Sequence, residues 1–266
     1  MKEKDVVSLS KHPYTKDMLI YDFKQLGIKK GDCLLVHCSM SKLGWIIGRE
    51  ATLVQALIDT IGENRTIVMP SQTGDNSEPS WWNNPPVPES WYQSIRDHMP
   101  PFDRYTPVRA MGKAVEYLLS LSTTLRSYHP QVSFIAYGKY AKEITDNHAL
   151  TPGLGIDSPL GQLYAKHAKV LLLGVGYNNC TCLHLSETQL QNIKYKKTGS
   201  RMYINGENIW KEYQDIDYDD SDFEKLGLDY EKHHHVKKGK VGLYTCRLLD
   251  IKDLCDYASE WFENNR

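Results

Sequence analysis

Short apolar runs alternate along this chain with segments in which apolar residues recur at helical spacing. The runs at 33–37, 66–69, 132–137 and 170–175 have the length of buried strands. Helical spacing predicts helices over 16–26, around 53–61, after Gly112 and over 141–148. Because strands and helices alternate up to about residue 195, the pattern indicates an α/β fold. We expect a layered central mixed, mostly parallel sheet flanked by helices.

The pattern changes after about residue 200. Asn205 and Gly206 stand between two apolar stretches, which is a strong β-hairpin signal. The run 240–248 predicts a further strand, and 251–262 predicts an amphipathic closing helix. The sequence therefore predicts a C-terminal antiparallel addition, about 200–266, within a single domain that spans 1–266.

A long segment, 71–109, shows little periodicity and an unusual composition. It contains seven of the twelve prolines and three of the six tryptophans. Prolines stiffen a loop and exposed tryptophans are costly, so this composition predicts an ordered covering loop. The alternative is a surface excursion packed by its own aromatic residues.

The composition narrows the class of protein. The chain has 266 residues, 41% of them hydrophobic, and its formal net charge is −1. These values indicate a globular protein without the global basic charge that binds nucleic acid or an anionic membrane surface. The N-terminus is polar and has no signal-peptide core, and no run reaches about 18 apolar residues. We therefore predict a cytoplasmic protein that binds no nucleic acid and no membrane.

The cysteines and histidines give no clear metal motif. Six cysteines, several within apolar runs, do not indicate a disulfide framework. Cys180 and Cys182 have the wrong spacing for a usual zinc knuckle and are expected to be small buried residues. The histidines at 233–235 resemble metal ligands but have no second ligand pair, so we expect a solvated loop and no metal.

The strongest candidate chemistry follows the strand 170–175. If a helix begins near Cys182, then Thr181 is its N-cap, and His184 and Glu187 project from one face. An imidazole and a carboxylate at the carboxyl end of a parallel strand form a plausible general base with its orienting acid. The alternative is a solvated surface pair. The polar loop 38–44 after the strand 33–37 has an anion-binding layout, without a dinucleotide or P-loop motif.

Several short motifs follow one another in order along the chain. They are HCSMSKLGW (37–45), MPSQ (69–72), NPPVPE (84–89), IRDHMPP (95–101), RSYHP (126–130), SPL (158–160) and TCLHLSE (181–187). Together these motifs resemble the aminoglycoside 3-N-acetyltransferase family, antibiotic acetyltransferases that do not have the GNAT fold, and in particular its members related to a Bacillus prophage-borne homologue.

The resemblance implies transfer of an acetyl group from acetyl-CoA to the 3-amino group of a 2-deoxystreptamine aminoglycoside, in a ternary complex without an acyl-enzyme. It implies that His184 is the general base, Glu187 the carboxylate beside it, and Thr181 a hydroxyl at the reacting centre. It assigns coenzyme A binding to Ser39, Met40, Ser41, Lys42, Leu43, Gly44, Ser71, Thr106, Val108, Arg109, Met111 and Gly112. Cys38 and Ala110 depart from the family's usual serine and glycine, which affects cofactor affinity more than cofactor identity.

A polycationic amine acceptor needs carboxylates and sugar-stacking aromatic residues. The candidates for the acceptor site are Asp75, Trp82, Glu89, Asp97 and His129, together with the acidic run 212–224. Three other readings stay open: an acetyltransferase of another small amine, a CoA-binding protein without a reaction, and a metal hydrolase that uses 233–235. A homodimer is a candidate assembly.

Overall fold

The computed structural model describes residues 2–266, which contain ten α-helices and nine β-strands. The helices are α1 (Glu3–Leu9), α2 (Lys16–Leu26), α3 (Arg49–Ile61), α4 (Tyr92–His98), α5 (Lys113–Ser120), α6 (Ala141–Thr145), α7 (Pro159–Ala165), α8 (Leu183–Glu187), α9 (Phe223–His233) and α10 (Ile251–Asn265). The strands are β1 (Cys33–Cys38), β2 (Thr66–Pro70), β3 (Leu125–Arg126), β4 (Phe134–Gly138), β5 (Lys169–Leu173), β6 (Tyr195–Ile204), β7 (Glu207–Ile216), β8 (Lys237–Val241) and β9 (Tyr244–Asp250). None of these helices is long and apolar enough to cross a membrane.

Seven strands form one central sheet in the order β3-β4-β2-β1-β5-β9-β8. β1 lies in the middle and pairs in parallel with β2 and with β5. The other neighbours in this sheet are antiparallel. The predicted α/β class, with a mixed sheet flanked by helices, is confirmed. The expectation of a mostly parallel sheet is wrong, because the parallel part is confined to the three central strands.

At the two edges of the sheet, β3 with β4 and β8 with β9 are antiparallel pairs whose connections contain no helix. The run 240–248 is not one strand, since it contains the turn between β8 and β9 at Gly242 and Leu243. Gly242 has φ +59°, and a Cβ there would lie 2.0 Å from the carbonyl oxygen of Leu43. Only glycine fits this close approach of two backbones.

Side chains alternate between the two faces of the central sheet and build two hydrophobic clusters. Leu34 and Val36 belong to the cluster packed by α2, α3 and α5. Leu35 and Leu172 belong to the cluster packed by α6 to α10. The period of two along β1 therefore assigns odd-numbered positions to the face that carries α8.

α2 begins at Lys16 and ends at Leu26, which confirms the predicted bounds. The Thr15 hydroxyl accepts a hydrogen bond from the Met18 amide, which satisfies one of the open donors of the first turn. Gly27 ends the helix with φ +98°.

β6 and β7 form a separate hairpin, as the Asn205-Gly206 signal predicts. Both turn residues have positive φ, +52° and +84°, as a two-residue turn of this kind requires. The segment 71–109 packs against this hairpin: Trp81 donates to the Lys197 carbonyl at 2.8 Å, and Asn76 donates to the Arg201 carbonyl at 2.7 Å.

Three loops meet where the parallel strands end. β1 ends at Cys38, β2 at Pro70 and β5 at Leu173. The Ser39 amide donates to the Leu173 carbonyl at 2.8 Å, which joins the first and third loops directly. This edge is where open α/β sheets carry their ligand sites.

Candidate active site

The chain turns sharply between β5 and α8. Gly174 has φ +70°, and a Cβ there would lie 2.7 Å from the Ser39 carbonyl oxygen and 2.9 Å from the Lys42 Cβ. A 3₁₀ turn, Tyr177–Asn179, then leads into α8. α8 begins directly after Cys182, as expected, and has only five residues. This short helix holds His184 over the sheet edge.

His184 and Glu187 form the expected pair. The distance between His184 Nδ1 and Glu187 Oε2 is 2.7 Å, and the side chains are 14% and 5% exposed. This burial excludes the solvated surface pair. Because an ionised carboxylate only accepts, Nδ1 carries the proton and the lone pair of neutral His184 lies on Nε2. His184 is thereby set up to accept a proton through Nε2.

The other carboxylate oxygen of Glu187 is also engaged. It accepts from the Asp219 amide at 2.9 Å and from Arg266 at 2.7 Å. Arg266 in turn pairs with Asp222 at 2.6 Å. Glu187, Asp222 and Arg266 therefore carry a net charge of −1 beside the imidazole.

Sequence reasoning missed the residues that surround this pair. The rings of Tyr218 and Phe223 contact the His184 ring with centroid distances of 5.0 and 4.8 Å. Arg266 is the last residue of the chain and reaches the site over the ring of Phe262. No local pattern links Arg266 to His184, because 82 positions separate them in the sequence.

Thr181 does not have the expected capping role. The N-cap of α8 is Cys182, and no side chain caps this helix, so that prediction is wrong. Thr181 is half-buried, its carbonyl accepts from the His184 amide at 3.1 Å, and its hydroxyl makes no hydrogen bond within residues 2–266. The Thr181 hydroxyl therefore does not form a capping hydrogen bond with α8.

The cysteines beside the turn are buried, as expected. Cys180 and Cys182 are fully buried with their sulfur atoms 3.5 Å apart, and all six cysteines are free. A hydrogen bond with Cys180, together with burial, raises the pKa of the Cys182 thiol well above its ordinary value. A thiol of this kind is a poor acyl carrier.

The loop 39–44 divides into an accessible and an inward-facing part. Lys42 is exposed, and Ser39, Met40 and Ser41 are half-buried. Leu43 is fully buried, and its carbonyl accepts from the Leu243 amide at 3.0 Å. Gly44 is buried against the ring of Tyr14. Only the first part presents groups that a ligand can reach.

Ser71 is not accessible, contrary to its expected contact with a cofactor. It is fully buried, its hydroxyl lies 3.0 Å from that of Ser133, and its carbonyl accepts from Arg126 at 2.7 Å. Through these hydrogen bonds, Ser71 connects the end of β2 to Ser133 and Arg126.

The segment 106–112 lies beside the loop that follows β1. A Cβ at Gly112 would lie 3.9 Å from the Cys38 carbonyl oxygen. Val108 and Met111 are half-buried against the apolar cluster, whereas Arg109 is exposed. Thr106 is half-buried and donates to Asp103 at 3.2 Å. The structure thus brings this segment and the loop 39–44 to the same edge.

Two of the expected acceptor residues share a cavity with an expected cofactor residue. A cavity of about 530 Å³ is lined by Asp75, Trp82 and Arg109, and Asp75 forms an ion pair with Arg109. Glu89 and Asp97 are exposed and are not among the residues that line it. Asp75 and Trp82 are therefore the better placed of the expected acceptor residues.

His129 lies in the interior and offers no ring nitrogen to a ligand. It is 1% exposed, and its Nδ1 accepts from the amides of Gln131 and Val132 at 3.1 and 3.0 Å. Its Nε2 therefore carries the proton and donates to the Leu150 carbonyl at 3.2 Å. These bonds give His129 a structural role, and it is not retained as an acceptor residue.

The remaining histidine cluster is solvated, as expected. Residues 233–235 are exposed at the end of α9, and the ring of His234 stacks on that of Tyr230. No group of three or more His, Cys, Asp or Glu side chains within residues 2–266 has the arrangement of a metal site.

Known proteins are similar to this chain in both sequence and fold. The family model described as aminoglycoside 3-N-acetyltransferase matches residues 35–263. The chain is 42% identical to the SPbeta prophage-derived aminoglycoside N(3')-acetyltransferase-like protein YokD of Bacillus subtilis (strain 168), covering 98% of this chain and 97% of that protein. The crystal structure of YokD superposes with a TM-score of 0.97 over 98% of each chain.

Two further proteins extend the comparison. Aminoglycoside N(3)-acetyltransferase III of Pseudomonas aeruginosa is 31% identical over 95% of this chain and 94% of that protein. The structure of AAC-IIIb in a binary complex with CoASH is 26% identical, covers 95% of this chain and 97% of that chain, and has a TM-score of 0.85. The resemblance seen in the motifs is confirmed, and the chain belongs to the aminoglycoside 3-N-acetyltransferase family of acyltransferases.

Proposed function

We propose that this protein transfers the acetyl group of acetyl-CoA to the 3-amino group of a 2-deoxystreptamine aminoglycoside, with His184 as the general base. The observation that carries the proposal is the buried 2.7 Å hydrogen bond between His184 and Glu187. It fixes the proton on Nδ1 and leaves Nε2 to accept the proton of the attacking amine.

The electrostatics around His184 support a base that becomes an imidazolium during the reaction. The unperturbed pKa of an imidazole is about 6.5, so the group can accept a proton near neutral pH. The net negative cluster of Glu187, Asp222 and Arg266 stabilises the imidazolium, while the rings of Tyr218 and Phe223 exclude water from it. The charge of the cluster favours proton transfer from the amine, whereas exclusion of water disfavours a charged ring, so the stabilisation of the imidazolium comes from the cluster.

Direct attack of the amine on the thioester is favoured over an acyl-enzyme. In direct attack, the amine nitrogen forms the new bond to the acetyl carbon and His184 accepts the proton. The bond from the acetyl carbon to sulfur then breaks, and the coenzyme A thiolate takes up a proton. The covalent alternative needs a reactive thiol, and Cys180 and Cys182, the thiols in the turn before α8, are fully buried.

The residues at the sheet edge fit coenzyme A. Lys42 supplies exposed positive charge for phosphates, Arg109 adds to it when a phosphate replaces Asp75 as its partner, and Ser39 and Ser41 supply hydroxyl donors. Val108 and Met111 give a partly apolar wall. The relative AAC-IIIb is known in a binary complex with CoASH, which supports the same ligand here.

The acceptor requires negative charge close to His184, and the acidic run supplies it. Asp219 is exposed, and its backbone amide contacts Glu187. Hydrogen bonds from Ser221, with the positive charge of Arg266, lower the pKa of Asp219, so this carboxylate is ionised at neutral pH. Asp75, which is paired with Arg109, and Trp82 line a second cavity and are our further candidates for contact with a polycationic sugar.

The test is a thiol-release assay with acetyl-CoA and a panel of acceptors. The panel contains gentamicin-, kanamycin- and apramycin-type aminoglycosides and simple diamines, and product masses identify the acetylated amine. We expect thiol release with at least one aminoglycoside. Release with the diamines alone would contradict the antibiotic acceptor and support another small amine. Binding of coenzyme A without release on any acceptor would support a non-enzymatic protein.

A further inference from the structure

His37 is a buried polar residue of the sheet, and its Nε2 is one of four buried side-chain polar atoms without a hydrogen-bond partner among the described residues. The residue is 8% exposed. A buried polar atom without a partner destabilises a protein, so such atoms are rare and call for an explanation. The fold alone gives none, since an apolar side chain would fill the same place.

His37 lies near the end of β1, on the face of the sheet that carries α8. It is the penultimate residue of β1, and its register partner on β5 is Leu172. The alternation along β1 puts its side chain on the face of Leu35 and Leu172, which is the face that carries α8. The next residue but one, Ser39, begins the loop that we assign to coenzyme A. His37 therefore lies on the face of the sheet that carries the general base and two residues before the coenzyme A loop.

The ring of His37 is neutral. Burial, and secondarily the nearby His184, lowers the pKa of His37 to about 3. A second imidazolium would oppose the charge that His184 gains during the reaction, whereas a neutral ring does not. A neutral imidazole still carries one N–H and can donate a hydrogen bond.

We propose that Nε2–H of His37 donates a hydrogen bond to the acyl oxygen of the bound thioester and stabilises the negative charge that develops there. The inference rests on the proposed acetyl transfer. As the amine nitrogen bonds to the carbonyl carbon, the π electron pair moves onto the oxygen that faces His37, and His184 accepts the amine proton. When the carbon–oxygen double bond re-forms, the carbon–sulfur bond breaks, and the imidazolium returns a proton to the thiolate.

The first measurement is isotope-edited infrared spectroscopy of acetyl-CoA labelled with ¹³C at the carbonyl, at saturating protein. It needs no acceptor. In the wild type, the carbonyl band of the bound thioester is expected at lower wavenumber than in free acetyl-CoA, because a donor polarises the bond. His37→Phe keeps a ring but removes both nitrogens and should abolish the shift. His37→Gln keeps a donor and should retain part of it, and His184→Ala should retain all of it.

The second measurement separates catalysis from folding. On the acceptor found by thiol release, His37→Phe should lower kcat by about 10²- to 10³-fold, the usual cost of one donor to a developing oxyanion. Its Kd for coenzyme A should stay within about threefold, and its Tm should equal or exceed that of the wild type, because the unpartnered nitrogen is removed. Leu172→Met, at the register partner of His37, is the control and should keep kcat within about twofold.

The outcomes distinguish this inference from the proposed function. An unchanged carbonyl shift in His37→Phe would overturn the donor role and leave the acetyl transfer by His184 intact. A shift that depends on His37, in a protein that acetylates none of the amines tested, would support the donor and refute the proposed acceptor. A fall in Tm together with lost coenzyme A binding in both His37 variants would assign His37 to structure and overturn the inference.

Discussion

Glu187→Gln removes the charge beside His184 and keeps the shape of the side chain. At about 4 Å between charge centres and an effective dielectric of about 20, the attraction between imidazolium and carboxylate is roughly 4 kcal/mol. Arg266, 2.7 Å from the other carboxylate oxygen, offsets a part of it. A loss of about 3 to 4 kcal/mol in the transition state corresponds to a fall in kcat of roughly a hundred- to a thousandfold.

The assay is steady-state thiol release at saturating acetyl-CoA and acceptor, with Kd for coenzyme A measured by calorimetry. Kd should stay within about threefold, because Glu187 lies outside the coenzyme A loop. Asp32→Asn is the matched control: it removes a partly buried ion pair, with Lys169 at 2.7 Å, at the opposite end of the same strands. The control should keep kcat within about twofold. A Glu187→Gln variant with wild-type kcat would refute the assignment of Glu187.

Three further predictions concern the acceptor, the coenzyme A loop and acid stability. Asp219→Asn should raise KM for a polycationic acceptor about three- to tenfold at low salt and leave kcat unchanged, and an equal effect in Asp256→Asn would argue against a local role. Gly174→Ala crowds the Ser39 carbonyl and should weaken coenzyme A binding in calorimetry, whereas Gly206→Ala, which also has positive φ but no neighbour within 4 Å, should not. Burial lowers the pKa of His37 and His129 to about 3 and of His148 to about 4, so below about pH 6.5 the unfolded state binds more protons than the folded state. Denaturant titrations should therefore show a free energy of unfolding that falls between pH 7 and pH 5, by about 2 kcal/mol for each of these histidines, and a flat profile would contradict their burial as neutral rings.

Elements with local signals were predictable from the sequence. Thr15 and Gly27 mark the ends of α2, and Asn205-Gly206 marks the turn of the hairpin. The loop after β1 and the pair His184 and Glu187 follow strands whose apolar runs are unambiguous. For these features, one short stretch of chain contains the signal, although the surroundings of His184 and Glu187 also depend on Tyr218, Phe223 and Arg266.

The rest depends on contacts between distant residues. Gly242 and Leu243 make a turn inside an apolar run, and the cause of the turn is the Leu43 carbonyl 199 residues earlier in the sequence. Ser71 was expected to contact a ligand, but its partners Arg126 of β3 and Ser133, directly before β4, lie far along the chain, and Ser71 is fully buried. The division of the chain into one domain over 1–266 stays a prediction, as does the cytoplasmic location.

The most direct test of the account is the thiol-release rate of His184→Ala at saturating acetyl-CoA and aminoglycoside. One general base contributes about two to four orders of magnitude, so kcat should fall by that factor while Kd for coenzyme A stays within about threefold. A purified His184→Ala protein that acetylates at the wild-type rate would contradict the central claim.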